Sequence, residues 1–190
     1  MSQYYKVLLK EKHGKDIRHT MFSGNVNGHQ YSAKLIKLAY SNNDLMVYFS
    51  NFIYKSPKNL AFVGDYTEPG NILTEESVRK RRRNQGKKIR TDLTSFDYQN
   101  KFLVNHTKKE YVEMNKYMKK SEFYWSIDDT EWLHPLALLT AVGNGLGGGD
   151  YYGANEEYVG TWAFDSISFE DDLEDYVGEY KKLDIWFKEG

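Results

Sequence analysis

The sequence of 190 residues contains no cysteine. Disulfide bonds and zinc sites built on thiolates are therefore excluded, and the absence agrees with a reducing compartment such as the cytoplasm. No stretch approaches the 18 apolar residues of a membrane-spanning helix. Residues 1–6 lack the basic start and apolar continuation that are typical of a signal peptide. We expect a cytoplasmic protein without a membrane partner.

The common catalytic motifs are also missing. The chain has no Gly-x-Ser-x-Gly pattern, which marks a serine nucleophile in many hydrolases. Its five histidines form no His-Glu-x-x-His motif, and the acidic residues 171–175 lack the spacing and central glycine of an EF-hand loop. We predict no cofactor from these motifs. A metal site built from distant residues stays open, and so does the question of whether the protein is an enzyme.

The composition is that of a globular domain. Hydrophobic residues make up 40% of the chain, which suffices for a core, and the length suits a single domain over residues 1–190. Sixteen residues are tyrosines, whose apolar ring and polar tip suit half-buried sheet faces and contact surfaces. We predict an α+β fold with a mixed, mostly antiparallel sheet and one or two packed helices.

Residue periodicity predicts the first elements of this fold. Alternating apolar residues predict a strand over 4–12, and a short apolar run bounded by Pro57 and Gly64 predicts a buried strand over 59–65. Helical spacing predicts helices within 31–40 and 45–56. Residues 101–114 predict a hairpin with a four-residue loop at 106–109. A helix over 107–119 is the alternative, because Thr107 can cap it and Glu110 fits a capping box.

The second half of the chain predicts mainly strands. Because it contains Pro135, the segment 132–141 is predicted as an edge strand or an irregular one. Further strands are predicted over 122–127, 158–169 and 183–187.

Charge is distributed unevenly, although the net charge is −1. Residues 79–90 carry eight positive charges and no acid, inside a polar segment, 67–98, that we predict to be a mobile basic insertion. Contacts with nucleic acid or an acidic protein surface would use Arg79, Arg81, Arg82, Arg83, Lys87, Lys88 and Arg90. A solvated helix end is the alternative, because no aromatic residue within 79–95 could stack on bases.

The segment 143–153 holds six of the fifteen glycines. Such a cluster needs a reason, because glycine loses the most backbone freedom on folding: either the backbone has a positive φ, or another group approaches closely. One interpretation is a looping connection on which aromatic neighbours pack. The other is a pocket in which backbone N–H groups, with Asp150, Tyr151 or Tyr152, bind a ligand. A nucleotide-binding loop is disfavoured, because no Lys-Ser/Thr follows and Asp150 would repel an anion.

Polar residues near predicted strand ends extend this candidate site. Its ligand would be a small anion or a protein partner, and its candidate ligand-binding residues are Asp65, His106, His134, Asn144, Gly145, Gly148, Asp150 and Tyr151. A competing hypothesis is a metal-dependent hydrolase of phosphate or nucleotide bonds, with a divalent metal at Asp65, His106 and Asp150. The pairs Gly64-Asp65 and Asn105-His106 are similar to those of metallophosphoesterases, although the other metal-binding blocks of that group are missing.

Several blocks of the sequence resemble a group of short uncharacterised proteins of low-GC Gram-positive bacteria and their phages or plasmids. The blocks are residues 59–66, 102–111, 134–141, 143–153 and 159–163, and the last two have the sequences GNGLGGGDYYG and VGTWA. The resemblance covers about residues 30–168. It implies an accessory protein of a mobile element with a site in residues 134–163, and it transfers no catalytic residue.

Overall fold

The computed structural model describes residues 1–13, 15–22, 25–26, 29–30, 33–39, 44–67, 95–115, 133–176 and 178–188. Most of the predicted basic insertion, 67–98, lies outside these ranges, and so do all seven of its candidate contact residues, Arg79 to Arg90. The strand predicted over 122–127 also lies outside them. No helix within the described ranges is long and apolar enough to cross a membrane.

The fold is α+β, as the sequence predicts, and is built on a mixed sheet of mostly antiparallel strands. In chain order the strands are β1 (Tyr5–His13), β2 (Asp16–Met21), β3 (Asn25–Val26), β4 (His29–Gln30), β5 (Lys58–Gly64), β6 (Phe102–Asn105), β7 (Glu110–Glu113), β8 (Ala141–Val142), β9 (Ser166–Glu170) and β10 (Lys181–Lys182). The eight-stranded sheet has the order β10-β7-β6-β9-β5-β1-β2, with β8 parallel to β5, and β3 pairs with β4 separately. Strand β5 lies near its centre and confirms the strand predicted over 59–65.

Three short α-helices accompany the sheet within the described ranges. They are α1 (Leu35–Leu38), α2 (Asp44–Ile53) and α3 (Pro135–Leu139). Helix α2 packs on the sheet through Phe49, whose ring lies 5.9 Å from that of Phe62 on β5. Both rings are fully buried, and each such side chain contributes about 2–3 kcal/mol of transfer free energy. The apolar residues that predicted this helix therefore form the centre of the core.

The hairpin of β6 and β7 confirms the predicted strands and their loop. Val104 pairs with Tyr111, and Asn105 pairs with Glu110. The Asn105 side chain accepts hydrogen bonds from the backbone N–H groups of Thr107 and Lys108, both at 2.9 Å, which forms an Asx turn. The N–H groups of Thr107 and Lys108 thus have their acceptor within the turn. The helix that was the alternative prediction is absent over residues 107–113.

The strand predicted over 132–141 is wrong, because Pro135 begins helix α3 instead of interrupting a strand. Proline is suited to the first helical position, where its missing N–H would have no partner in any case. The preceding residue, His134, caps the helix: its Nδ1 accepts a hydrogen bond of 3.1 Å from the N–H of Leu136.

Of two further strand predictions, one is only partly correct and the other is wrong. The chain from 158 to 165 turns, and the strand begins at Ser166. The turn packs on α3: the N–H groups of Gly160 and Trp162 donate to the carbonyls of Leu138 and Leu139 at 2.9 and 2.7 Å. Residues 183–187 form no strand, although alternate side chains there are buried.

Gly160 and Gly178 form a matched pair for a stability test. Their φ angles are +79° and +81°, but a Cβ at Gly160 would lie 2.3 Å from the carbonyl oxygen of Ala141, whereas one at Gly178 would meet nothing within 4 Å. Gly178→Ala should lower the free energy of unfolding by about 1 kcal/mol through backbone strain alone. Gly160→Ala should lower it by roughly 3 kcal/mol, because overpacking adds to that strain. Chemical denaturation measures both, and equal losses would contradict the close approach.

Candidate functional site

Asp150 is the centre of the glycine loop, the segment Gly143–Gly153. Its side chain is buried and accepts three hydrogen bonds: from the Tyr5 hydroxyl at 2.8 Å, from the Gly145 N–H at 2.8 Å and from the Gly147 N–H at 2.9 Å. Two backbone N–H groups aimed at one oxygen are the arrangement that binds anions in other proteins. The loop thus holds the chain's own carboxylate where a bound anion would lie. Burial, and then the bond to Asp150, raise the pKa of Tyr5.

The N-terminal residues lie directly against this loop. The Gly148 N–H donates to the carbonyl of Met1 at 2.8 Å, and the Gly148 carbonyl accepts from the N–H of Gln3 at 3.0 Å. The Gln3 side chain, fully buried, donates to the carbonyl of Gly143 at 3.0 Å. A Cβ at Gly147 would lie 2.6 Å from the Cβ of Gln3, while Gly143 has a φ of +91°. Both predicted reasons for the glycine cluster therefore apply: Gly147 is closely approached by Gln3, and Gly143 combines a positive φ with a close approach by Thr67.

Asn144 and Tyr151 hold the two ends of the loop together. The Asn144 amide donates to the Tyr151 carbonyl at 2.9 Å and accepts from its N–H at 2.7 Å. The Tyr151 ring is buried, and its hydroxyl lies 2.6 Å from the carbonyl of Ala154. Five of the eight candidate ligand-binding residues thus come together in this loop: Asn144, Gly145, Gly148, Asp150 and Tyr151. Their hydrogen bonds hold the loop itself, and their role towards a ligand stays a prediction.

His134 lies in the core, apart from the loop hydrogen bonds. Because its Nδ1 accepts from Leu136, its proton is on Nε2, which has no hydrogen-bond partner among the described residues. The ring packs edge-on against Tyr98 and Phe169, with centroid distances of 5.1 and 6.0 Å. Complete burial lowers the pKa of His134 to about 3, so the imidazole is neutral at pH 7.

His106 belongs to a separate cluster on the β6–β7 hairpin. Its Nε2 lies 2.7 Å from the hydroxyl of Ser168, which donates to Glu170 at 2.5 Å. The Tyr180 hydroxyl lies 3.4 Å from Nδ1, and the Tyr176 ring packs 5.5 Å from the imidazole. Burial lowers the pKa of His106, although Glu170 acts in the opposite direction. Ser168 is fully buried, so its hydroxyl is not accessible as a nucleophile.

The three residues of the metal-hydrolase hypothesis do not converge. Asp65 follows the end of β5, while the His106 N–H donates to Ser166, which pairs with Asn59 at the start of β5. Six residues of strand span about 20 Å at ~3.3 Å per residue. Asp65 lies on the side of the glycine loop instead, because its N–H donates to the carbonyl of Tyr4, next to the Tyr5 that binds Asp150. The part of the chain that the structure describes contains no group of three His, Asp or Glu residues that could hold a metal ion.

Exposed apolar side chains concentrate around the glycine loop. The exposed large hydrophobic residues within the described ranges are Met1, Tyr4, Ile17, Tyr66, Leu146, Tyr152 and Trp186. The Tyr66 ring lies against Gly147, where a Cβ would be 3.0 Å from two ring atoms. The backbone carbonyl of Tyr4 accepts a hydrogen bond from the N–H of Asp65, the residue before Tyr66. Leu146 and Tyr152 belong to the loop and are 54% and 55% exposed. We call Tyr4, Tyr66, Leu146 and Tyr152 the glycine-loop surface.

Sequence reasoning found only part of this surface. It singled out Tyr152 beside Asp150 but not Tyr4, Tyr66 or Leu146. No sequence signal brings Tyr4 and Tyr66 to the loop, because that contact depends on the pairing of β1 with β5. The partners of His106 were missed for the same reason, since Ser168 and Tyr180 lie 62 and 74 residues away in sequence.

Removing the Asp150 carboxylate should destabilise the protein. Asp150→Ala leaves three donors without their acceptor and should lower the free energy of unfolding by roughly 3 kcal/mol or more. Tyr5→Phe removes one of these bonds and should cost about 1 kcal/mol. Formate should bind to the vacated N–H groups and raise the melting temperature of Asp150→Ala but not that of the wild type. An equal formate response in both proteins would contradict this arrangement.

His134 should make stability depend on pH. The pKa of His134 is about 3 in the folded protein and 6.5 in the unfolded chain, so only the unfolded chain binds a proton between these values. The free energy of unfolding is therefore highest above pH 6.5 and falls with the pH, by up to about 1.4 kcal/mol per unit. His134→Asn, which keeps a capping side chain, should flatten this slope in urea denaturation. Parallel pH profiles would show that His134 is not the group responsible.

Comparisons of the chain with family models, curated proteins and solved structures return no match. Function therefore has to be inferred from the arrangement of this chain's own residues.

Proposed function

We propose that this chain is a binding protein that engages a protein partner through the glycine-loop surface. The observation that carries the proposal is the concentration of exposed apolar side chains around one loop whose own polar groups are hydrogen-bonded internally. Clustered exposed hydrophobic residues on a soluble domain are typical of interaction sites. Tyrosine is enriched in such sites because it offers a large contact area at a low cost in side-chain entropy.

The hydrogen bonds of the loop favour binding with little rearrangement. Asp150 fixes the loop to β1, the Asn144–Tyr151 pair closes its base, and the N-terminal residues pack on its glycines. A loop held in this way loses little conformational entropy when a partner binds, so more of the contact energy contributes to affinity. The resemblance to proteins of phages and plasmids supports an accessory role of this kind.

The same bonds disfavour a small anion as the ligand. An anion at the glycine N–H groups would have to displace Asp150 from Gly145 and Gly147. The displaced carboxylate would still be buried beside Tyr5, and burying an unpaired charge costs several kcal/mol. A protein partner contacts the exposed side chains and leaves these bonds in place.

Native mass spectrometry of the protein purified from the cells that naturally make it tests the proposal. The wild type should carry a stoichiometric protein partner. The double variant Tyr66→Ser/Leu146→Ser should lose it, because the apolar contact area of the surface is removed. The matched control is Ile17→Ser, since Ile17 and Leu146 are equally exposed, at 54%, and Ile17 lies on β2, away from the loop.

The proposal requires that the partner is lost only in the loop variant. A partner retained by Tyr66→Ser/Leu146→Ser, or a wild type that carries only a small anion, would contradict it. Circular dichroism should show that both variants fold, because all three substituted side chains are exposed.

A further inference from the structure

The two edges of the large sheet differ in how they are protected. One edge is β10, which has only two residues, both of them exposed lysines. Short strands and lysines are the usual means by which proteins prevent a sheet edge from pairing with another chain. The other edge is β2, which has six residues and contains neither lysine nor proline. The edge at β2 is therefore the longer one and lacks lysine and proline, although its residues Asp16 and Arg18 are charged.

The register of β1 and β2 shows which backbone groups point outwards. The Phe22 N–H donates to the Val7 carbonyl at 2.9 Å, and Leu8 lies opposite Met21. Because hydrogen-bonded and non-hydrogen-bonded pairs alternate in an antiparallel ladder, β2 bonds to β1 through every second residue. The N–H and C=O groups of Ile17, His19 and Met21 consequently point away from β1. No described residue forms a backbone hydrogen bond with them.

The side chains at these outward positions share one face of the sheet. Met21 is buried there in a small apolar cluster with Leu8, Ala61 and Val63. Ile17 lies on the same face but is 54% exposed. The residue opposite Ile17 on β1 is Lys12 rather than an apolar residue, and an added strand at this edge would cover the exposed Ile17 side chain.

We propose that β2 is a homodimer interface, in which β2 strands of two copies pair antiparallel about a two-fold axis at His19. In this register Ile17 of each copy lies opposite Met21 of the other, which covers the exposed Ile17 side chain with apolar surface. The outward positions 17, 19 and 21 are symmetric about His19, so the strand is complementary to itself, as a two-fold interface requires.

The backbone and the electrostatics both permit this pairing. Three hydrogen-bonded residue pairs with two bonds each give about six new backbone hydrogen bonds. Burial, and then the charge of Lys10, lower the pKa of His19, so the two imidazoles at the axis are neutral at pH 7. The dimer uses none of the residues of the glycine-loop surface, so it does not depend on the proposed function.

Light scattering over a dilution series of the full chain tests the dimer. The wild type should dissociate from dimer to monomer on dilution. Ile17→Lys, which places a charge at the open edge, should raise the dissociation constant about tenfold or more. Leu146→Lys is the matched control with the same exposure of 54% and should leave the dissociation constant unchanged.

Residue-resolved amide hydrogen exchange locates the interface. The amides of Ile17, His19 and Met21 should become protected as the concentration rises, while those of Arg18 and Thr20, which bond to β1, should be protected throughout. A wild type that is monomeric at every concentration would overturn the proposal. So would a dimer that leaves the three outward amides unprotected, or one that Leu146→Lys weakens and Ile17→Lys does not.

Discussion

The carboxylate of Asp150 is the group on which the candidate site depends. A buried carboxylate is tolerated only when hydrogen bonds replace its lost hydration. Here the donors are Tyr5, near the start of the chain, and two glycine N–H groups that a tight loop brings together. The bond to Tyr5 joins residues 145 positions apart, so it fixes the first strand to the loop. With β1 placed in this way, the N-terminal residues lie on the loop, and several of its positions have no room for a side chain.

The sequence predicted the fold well where local signals and packing agree. Strand β5 has a continuous apolar run that suits its buried position in the sheet, and the hairpin of β6 and β7 has the turn residues of its loop. Prediction failed around Pro135, because proline disfavours a strand but also favours a helix start, and the sequence does not show which applies. It failed again before Ser166, where hydrogen bonds to α3 override an alternating apolar pattern.

The backbone constraints of the glycine loop were predicted from the sequence, but the orientation of Asp150 was not. The glycine cluster marked the position correctly as one of close approach and positive φ. Asp150, however, was interpreted as a residue that repels an anion or orients a ligand, whereas it fills the place of the anion itself. Residue type cannot show whether a carboxylate turns towards solvent or towards its own backbone. That direction is set by Tyr5 and by the N-terminal residues, which are far away in sequence.

The glycine loop meets β1 at its first residue, whereas the proposed dimer interface is centred on His19, opposite Lys10, and this has a consequence for binding. Tyr5 begins the strand beside the glycine loop, whereas Lys12 pairs with Ile17 near the other end. Five residues of strand, about 17 Å, separate Tyr5 from Lys10, which lies opposite the proposed axis at His19, so a second copy at β2 would be centred away from the glycine-loop surface. A dimer would carry two such surfaces in a fixed relation. For a partner that presents repeated sites, the second contact becomes intramolecular, and the overall affinity can exceed that of either surface by about 10²–10⁴-fold. Binding to a monovalent partner would depend on the glycine-loop surface alone, so variants at Ile17 would leave it unchanged.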